Sequence, residues 1–280
     1  MSVKIIVDST TDLRPGTEGD FVIVPLTVCF GDTEYIDGVT INNEEFYKKL
    51  VESDVLPVTS QATPASFMGI FEEVIENGDD AVVITLASSL SGTYQSAVLA
   101  ASEYAGRIFV CDSETVTIGA GILAEMALKL QRAGKSAKEI FDVLEEEKKK
   151  ILIVALLDTL EYLKKGGRIS PAVAFAGGLL NIKPVISLKA GEISILGKAR
   201  GSRQGNNFLV EKIKEANGID FTKPLLLGYS GLSDVLLQKY IEDSSDLWVG
   251  QTEKLDRALI GSVIGTHVGP GAIAVAFYCN

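Results

Sequence analysis

The sequence predicts an α/β fold with two domains, and three observations support this. A short apolar strand that runs into an Asp-Ser turn occurs twice, at Ile5-Ile6-Val7-Asp8-Ser9 and at Ile108-Phe109-Val110-Cys111-Asp112-Ser113. Strands of this kind lead into helices in the βα units of a parallel sheet. Segments with helical periodicity lie between them. Beyond about residue 150, strands and helices alternate less regularly, which is typical of an α+β domain.

The first half contains clear helix signals. Thr63 as N-cap and Pro64 at the first helical position predict a helix that ends at Asn77-Gly78, before a strand from Ala81 to Leu86. Three further helices are predicted. The first runs from an N-cap at Ser91 to Gly106, and the second from about Thr117 to Ala133. The third runs from Ser136 to Lys149, and Ser136 and Glu139 form a capping box at its start. The N-terminal domain is therefore a parallel-sheet α/β domain.

We place the domain boundary after residue 155, which gives an N-terminal domain 1–155 and a C-terminal domain 156–280. The boundary lies close to the charged helix end Glu145 to Lys150 and the apolar strand Ile151 to Leu157. The predicted elements that follow are a short helix from Thr159 to Lys165, a helix starting at Ser170-Pro171, strands at Pro184 to Leu188 and Ile193 to Leu196, a helix near Asn207 to Ala216, a strand from Pro224 to Tyr229, a helix from Ser233, and a closing strand from Ala272 to Tyr278.

Composition and charge exclude several classes of protein. The chain has 26 Lys plus Arg against 37 Asp plus Glu, and a net charge of −11 disfavours nucleic acid and anionic membrane surfaces as partners. The three cysteines, Cys29, Cys111 and Cys279, are widely spaced and form no zinc or disulfide pattern. The sequence has no apolar stretch of about 18 residues, so we expect no stable membrane insertion and a cytoplasmic location.

Two polar segments are candidates for a ligand site. The only histidine, His267, lies in Gly265-Thr266-His267-Val268-Gly269-Pro270-Gly271, where glycines permit close approach of a ligand to the backbone. Ser91 and Gly92 stand at a predicted helix start, where free amides suit a carboxylate or phosphate. Thr59 and Ser60 add hydroxyls near another helix entrance. Together these residues suggest a site for a small anionic head group.

Two other functions stay open at this point. Ser91 and His267 are the residue types of a serine hydrolase, but the chain has no Gly-x-Ser-x-Gly motif. Gly119-Ala120-Gly121 resembles a dinucleotide-binding fingerprint, yet it lies inside a predicted helix, where close helix packing is the better interpretation. The remaining alternative is a regulatory protein without a ligand. Arg168, beside Gly166-Gly167, and Arg200 indicate a basic spot suited to a phosphate or an acidic partner.

The combination of motifs resembles the DegV family over nearly the entire chain. The matching segments are Asp8-Ser9-Thr10-Thr11-Asp12-Leu13, Thr59-Ser60-Gln61, Ser88-Ser89-Leu90-Ser91-Gly92-Thr93-Tyr94, Asp112-Ser113, Leu163-Lys164-Lys165-Gly166-Gly167-Arg168-Ile169-Ser170 and Gly265 to Ala272. DegV proteins are bacterial two-domain fatty-acid-binding proteins. They include the subunit that presents a fatty acid to a separate fatty acid kinase.

The resemblance implies a role for each candidate residue. A long-chain fatty acid would lie in a tunnel between the domains, with its carboxylate at Thr59, Ser91 and His267 and with Ser60 and Gly92 as nearby backbone donors. The resemblance places Arg168 and Arg200 near the tunnel mouth, as candidates for contact with the kinase or the phosphate. It implies a carrier without a catalytic residue, nucleotide site, metal or cofactor of its own. The partner would be the ATP-binding subunit of the kinase.

Overall fold

The computed structural model describes residues 2–170, 182–251 and 255–280. In these ranges the chain forms three sheets and a set of α-helices. The strands are β1 (Val3–Asp8), β2 (Val22–Val24), β3 (Thr27–Phe30), β4 (Thr33–Ile36), β5 (Val58–Ser60), β6 (Asp80–Thr85), β7 (Ile108–Asp112), β8 (Ile151–Leu156), β9 (Ile182–Lys189), β10 (Glu192–Arg200), β11 (Leu226–Tyr229), β12 (Arg257–Leu259) and β13 (Ile273–Tyr278). The α-helices are α1 (Asn43–Glu52), α2 (Pro64–Glu76), α3 (Thr93–Ala101), α4 (Thr117–Arg132), α5 (Ala137–Glu147), α6 (Glu161–Lys165), α7 (Gly201–Glu215), α8 (Val235–Asp243) and α9 (Ser262–Val268).

The N-terminal part contains a four-stranded sheet in the order β2-β1-β6-β7, and all its strand pairs are parallel. This confirms the parallel-sheet prediction made from the two strand–Asp-Ser segments. A small antiparallel sheet in the order β4-β3-β5 accompanies it. This small sheet was not predicted from the sequence, because its strands have only three or four residues.

The C-terminal part contains a six-stranded sheet in the order β10-β9-β8-β13-β11-β12. Every neighbouring pair is antiparallel except β11 and β12. This mixed sheet with irregular helices agrees with the expected α+β organisation. Its first strand in the chain, β8, follows directly after α5 and a short 3₁₀ turn.

Helix α4 lies between the parallel sheet and the six-stranded sheet, and one continuous apolar core surrounds it. Most of the helix is buried, as expected for an element that contacts sheets on both sides. A Cβ at Gly119 would lie 2.8 Å from Ile153 Cδ1, and one at Gly121 would lie 2.3 Å from the carbonyl oxygen of Asp12. These glycines therefore serve close packing, as the sequence analysis inferred.

The outer faces of the two large sheets carry their own helices. Helices α1, α2 and α3 belong to a core on one face of the parallel sheet. Helices α7 and α8 belong to a core on the far face of the six-stranded sheet. The inner faces of both sheets are thus left to α4 and to the cavity described below.

Most predicted helix starts are confirmed. Thr63 caps α2 ahead of Pro64, and Ser136 and Glu139 form a complete capping box at the start of α5. Helix α7 begins at Gly201, about six residues before its predicted start. The helix predicted at Ser170-Pro171 lies outside the described residues from Pro171 on.

Candidate functional site

A cavity of about 380 Å³ opens between the N-terminal loops and the six-stranded sheet, a size within the usual range for small-molecule sites. Its walls are largely apolar and come from both parts of the chain. The aliphatic side chains that line it are Leu26, Leu86, Leu90, Val116, Ile153, Ala155, Leu157, Leu163, Ile186, Leu188, Ile193, Ile260, Val263, Ile264, Val268, Ala272 and Ala274.

The sheet floor of the cavity follows from strand periodicity. Successive side chains of a strand point to opposite faces, so Ile153 and Ala155 of β8 share the face that lines the cavity. Val154 points the other way, into the core with α7 and α8. Ala155 pairs with Ala274 of β13 across the sheet. Two small side chains therefore leave space in the middle of the floor.

The polar end of the cavity joins Thr59 to His267. The Thr59 Oγ1 and His267 Nε2 atoms lie 2.9 Å apart and form a hydrogen bond. Burial, together with the positive charge of Arg168, lowers the pKa of His267 to about 4. The imidazole is consequently neutral at neutral pH, and it can donate a hydrogen bond from one ring nitrogen and accept at the other.

His267 lies in the last turn of α9 (Ser262–Val268), so the glycine-containing segment begins in a helix. Gly166, which ends α6, packs directly against the imidazole: a Cβ at Gly166 would lie 2.2 Å from Nδ1. Gly269 follows α9 at φ +70°. A Cβ at Gly269 would lie 2.3 Å from Tyr162 Cδ2, so this glycine packs directly against the Tyr162 ring. The two glycine-containing segments identified in the sequence therefore meet in space.

Ser91 and Gly92 also line this cavity. Helix α3 starts at Thr93 with Gly92 as its N-cap, so the prediction of Ser91 as N-cap was wrong by one residue. Ser91 Oγ still supports the helix start, because it accepts a hydrogen bond from Thr93 N at 3.3 Å and lies 3.0 Å from Thr93 Oγ1. Ser91, Gly92, Thr59, Ser60 and His267 all line the same cavity.

Gln61 also lines the cavity, and the sequence analysis did not select it. Its Nε2 donates to Ser96 Oγ at 3.0 Å, and its Oε1 occupies the space next to Gly92, 2.1 Å from where a Cβ would be. Gln61 directly follows Thr59 and Ser60 in the sequence, and its amide could have been selected with their hydroxyl groups as a candidate for the site.

The two arginines are placed differently. Arg168 lines the cavity, and its guanidinium donates to Leu90 O from Nε at 3.2 Å and from Nη2 at 3.1 Å, and to Gly166 O from Nη1 at 2.7 Å. Arg200 precedes α7 and lines a second cavity with Lys183 and Ser202. The structure brings Arg168 to the polar end of the main cavity, whereas Arg200 lines a separate one.

The arrangement of Ser91 and His267 differs from a hydrolase triad. The Nε2 atom of His267 bonds to Thr59, and its Nδ1 atom has no hydrogen-bond partner among the described residues. A triad needs the histidine to accept from the nucleophile and to be oriented by a carboxylate at the other nitrogen. Within the described ranges, the side chains also form no cluster suited to a metal ion. None of the described helices is both long enough and apolar enough to span a bilayer.

Comparisons with known proteins match the whole chain. The family model that describes uncharacterised proteins of the DegV family matches residues 2–280. A DegV domain-containing protein of Caldanaerobacter subterraneus subsp. tengcongensis is 36% identical over 281 residues, which cover 98% of each chain.

Solved structures give the same result. A DegV family protein from Thermus thermophilus, described as binding fatty acid, is 31% identical with a TM-score of 0.88, and the match covers 100% of both chains. A stearic acid-binding protein from Eubacterium ventriosum is 30% identical with a TM-score of 0.82, over 100% of this chain and 98% of the other.

The fatty acid kinase B3 protein of Streptococcus pneumoniae, loaded with linoleic acid, shares the fold at 21% identity, with a TM-score of 0.87 and full coverage of both chains. Fold, coverage and sequence identity thus agree, and this chain belongs to the DegV family.

Proposed function

We propose that this protein binds a long-chain fatty acid, with the acyl chain in the main cavity and the carboxylate at its polar end. The observation that carries the proposal is the lining of the cavity, which is largely apolar and also includes the polar residues Thr59, Ser91 and His267. The fatty acids described for the Thermus thermophilus and Eubacterium ventriosum relatives support the same ligand class.

The apolar lining accounts for affinity. Burying an alkyl chain of about sixteen carbons at roughly 0.8 kcal/mol per methylene contributes on the order of 10 kcal/mol before the costs of association. The affinity then depends mainly on the fit of the chain to the sheet floor at Ala155 and Ala274. The polar groups orient the ligand.

A carboxylate taken out of water needs several hydrogen bonds or a positive charge. The Thr59 and Ser91 hydroxyls, the neutral His267 ring and the amides near Ser60 and Gly92 are the proposed donors. The guanidinium of Arg168 adds a nearby positive charge, although three of its N–H groups already bond to carbonyl oxygens. These groups hold the carboxylate without a buried lysine.

The same arrangement suits presentation of the carboxylate to a separate fatty acid kinase, whose ATP-binding subunit would form the acyl phosphate. The carrier itself would then catalyse no reaction and would work in the cytoplasm. The motif resemblance to DegV proteins and the fold shared with the Streptococcus pneumoniae kinase protein support this proposal. Arg168 at the cavity and Arg200 at the start of α7 are the proposed contacts for kinase or phosphate.

Native mass spectrometry of freshly purified protein, followed by denaturation and identification of the released molecule, tests the binding proposal. We expect one long-chain fatty acid per chain. A protein that is empty and also takes up no added stearate would overturn the proposal. Hydrolysis of an activated acyl ester that depends on Ser91 would favour the serine hydrolase instead, while no ligand and no hydrolysis would leave the regulatory alternative.

The kinase proposal has its own test, which uses stearate-loaded protein, ATP and the ATP-binding subunit of a fatty acid kinase. We expect acyl phosphate formation. Arg200→Gln should reduce its rate and leave stearate affinity unchanged, whereas Arg203→Gln, three residues further on in the first turn of α7, serves as the matched control. Equal rates for the two variants would remove Arg200 from the contact.

A further inference from the structure

Three buried carboxyl groups lie behind the cavity wall, outside the site described above. They belong to Asp8, Asp12 and Asp37, each less than one-tenth exposed. Among the described residues, none of the three forms an ion pair with a lysine, arginine or histidine. A cluster of this kind cannot carry three negative charges cheaply, because no positively charged group among the described residues is paired with them.

Asp8 and Asp37 hold two segments of the cavity wall. Asp8 Oδ2 accepts a hydrogen bond from Leu86 N at 2.7 Å, and the Leu86 side chain lines the cavity. Asp37 Oδ1 accepts from the hydroxyl of Ser262, the first residue of α9. The cluster therefore contacts both the parallel sheet and the helix that carries His267.

Asp12 connects these parts through a single carboxyl group. Its Oδ1 accepts from Gly261 N at 2.9 Å, just ahead of α9, and its Oδ2 is hydrogen-bonded to Thr117 Oγ1. The lack of a side chain at Gly261 permits this approach, since a Cβ there would lie 3.0 Å from Oδ1.

Thr117 is under backbone strain, because a β-branched residue at φ +50° is rare outside constrained sites. It is the first residue of α4, and its side chain lines the cavity. The bond to Asp12 helps to hold this conformation. Loss of that bond would consequently affect the cavity wall itself.

The charge state of the cluster follows from its surroundings. Burial raises the pKa of Asp12 to about 8, and the neighbouring Asp37 and Asp8 charges add to the rise. Burial likewise raises the pKa of Asp8 to about 6 and that of Asp37 above its usual range. At neutral pH the cluster therefore keeps a proton, and Asp12 is its main carrier.

We propose that Asp12, as a protonated acid, is a positioning residue of the fatty acid site: it fixes Thr117 and the start of the His267 helix, and opening of the cavity releases its proton. The inference rests on the proposed fatty acid binding. Opening exposes Asp12 to water and returns it toward its ordinary ionised state. Exchange of the fatty acid should therefore become faster as pH rises.

Three titratable groups close to Asp12 or to α9, namely Tyr47, His267 and Arg14, keep their charge between pH 6.5 and 9. Burial raises the pKa of Tyr47 on α1 well above its ordinary value, and His267 at the far end of α9 has a pKa of about 4. Asp8 has a pKa of about 6, so most of its titration lies below this range. Arg14, two residues along the chain, is paired with Glu125 and Asp256 and stays charged. Asp37 also has a raised pKa, so the comparison of wild type with Asp12→Asn is what assigns the pH dependence to Asp12.

The test measures dissociation of radiolabelled stearate from the loaded protein into excess lipid-free albumin. For the wild type we expect the rate to rise about tenfold from pH 6.5 to 8 and to level off above the folded-state pKa of Asp12. Asp12→Asn keeps an acceptor for Gly261 N–H without a titrating group, so its rate should be independent of pH. Asp220→Asn, an acid on a distant loop, should behave as the wild type.

Asp37→Asn is the second variant, and it keeps the measurement decisive if Asp12→Asn fails to fold. It removes a negative neighbour and lowers the pKa of Asp12, so the plateau should begin at a lower pH. A wild-type rate that ignores pH, or a rise that persists in Asp12→Asn, would overturn the inference about Asp12 alone. A wild type that retains no stearate at pH 6.5 would instead overturn the proposed function.

Discussion

Replacement of Gly166 by alanine is the most direct perturbation of the polar end. Gly166 has helical dihedral angles, φ −73° and ψ −7°, so an alanine meets no backbone strain there. Its Cβ would lie 2.2 Å from His267 Nδ1 and 2.9 Å from Cε1, whereas ordinary contacts begin at 3.4 Å. The buried imidazole must move by about 1.2 Å, which is the difference between 3.4 and 2.2 Å.

This displacement has two expected costs. Overpacking of a well-packed site lowers the free energy of unfolding by about 1–3 kcal/mol. Alanine in a helical conformation raises it by about 0.5–1 kcal/mol relative to glycine, which offsets part of this loss. The ring also cannot keep its 2.9 Å bond to Thr59 unless Thr59 moves with it. A weakened hydrogen bond to an ionised carboxylate costs about 1.5–3 kcal/mol, so fatty acid affinity should fall by about ten- to hundredfold.

Urea unfolding of delipidated protein and a stearate binding titration measure the two costs separately. The matched control is Gly69→Ala in α2, where nothing lies within 4 Å of the added Cβ. That variant should be stabilised by about 0.5–1 kcal/mol with unchanged affinity. If Gly166→Ala behaved like Gly69→Ala in both measurements, the packing of Gly166 on the imidazole would not position His267.

Three further predictions address the head group, the acyl chain and pH. Ser91→Ala should lower stearate affinity roughly tenfold and, through loss of its bond to Thr93 N, lower the unfolding free energy by about 1 kcal/mol, and equal affinity would exclude Ser91 from the site. Ala274→Leu should fill the floor beside Ala155 and shift the co-purified fatty acids to shorter chains, as read by mass spectrometry. Because the folded pKa of His267 lies below its ordinary value, its contribution to stability is complete above pH 6.5 and is lost as pH falls toward 4, up to about 3 kcal/mol. Urea unfolding at both pH values should show this loss as a change in the difference between wild type and His267→Gln, because the buried acids Asp8 and Asp12, which titrate in the opposite sense, contribute equally to both proteins.

The regular elements were predictable where local signals are strong. The Thr63-Pro64 start of α2 and the capping box of α5 are settled within four residues of sequence, and both are confirmed. The small β4-β3-β5 sheet was missed because strands of three or four residues give no readable period. The domain boundary after residue 155 stays a prediction. Strand β8 begins at Ile151, four residues before the end of the predicted N-terminal domain.

The candidate site was predictable as a set of residues and not as a geometry. Glycine-rich and hydroxyl-rich segments identified Thr59, Ser91 and His267, but their meeting depends on long-range contacts that no local pattern shows. The 2.9 Å bond between Thr59 and His267 is one example. Arg200 shows the opposite outcome, because its cavity is a different one.

The residues that sequence reasoning overlooked act through position rather than through a reactive group. Gly166 contributes only the absence of a Cβ, and Asp12 contributes a carboxyl group whose usual ionised state the fold opposes. Neither property belongs to the residue type itself, since each arises when a distant helix, α9, is placed against it. If both arguments hold, His267 is held from both ends of α9: by Gly166 against the ring, and by Asp12 at the first turn. The head group site would then respond to changes at either end without any substitution of a ligand-contacting residue.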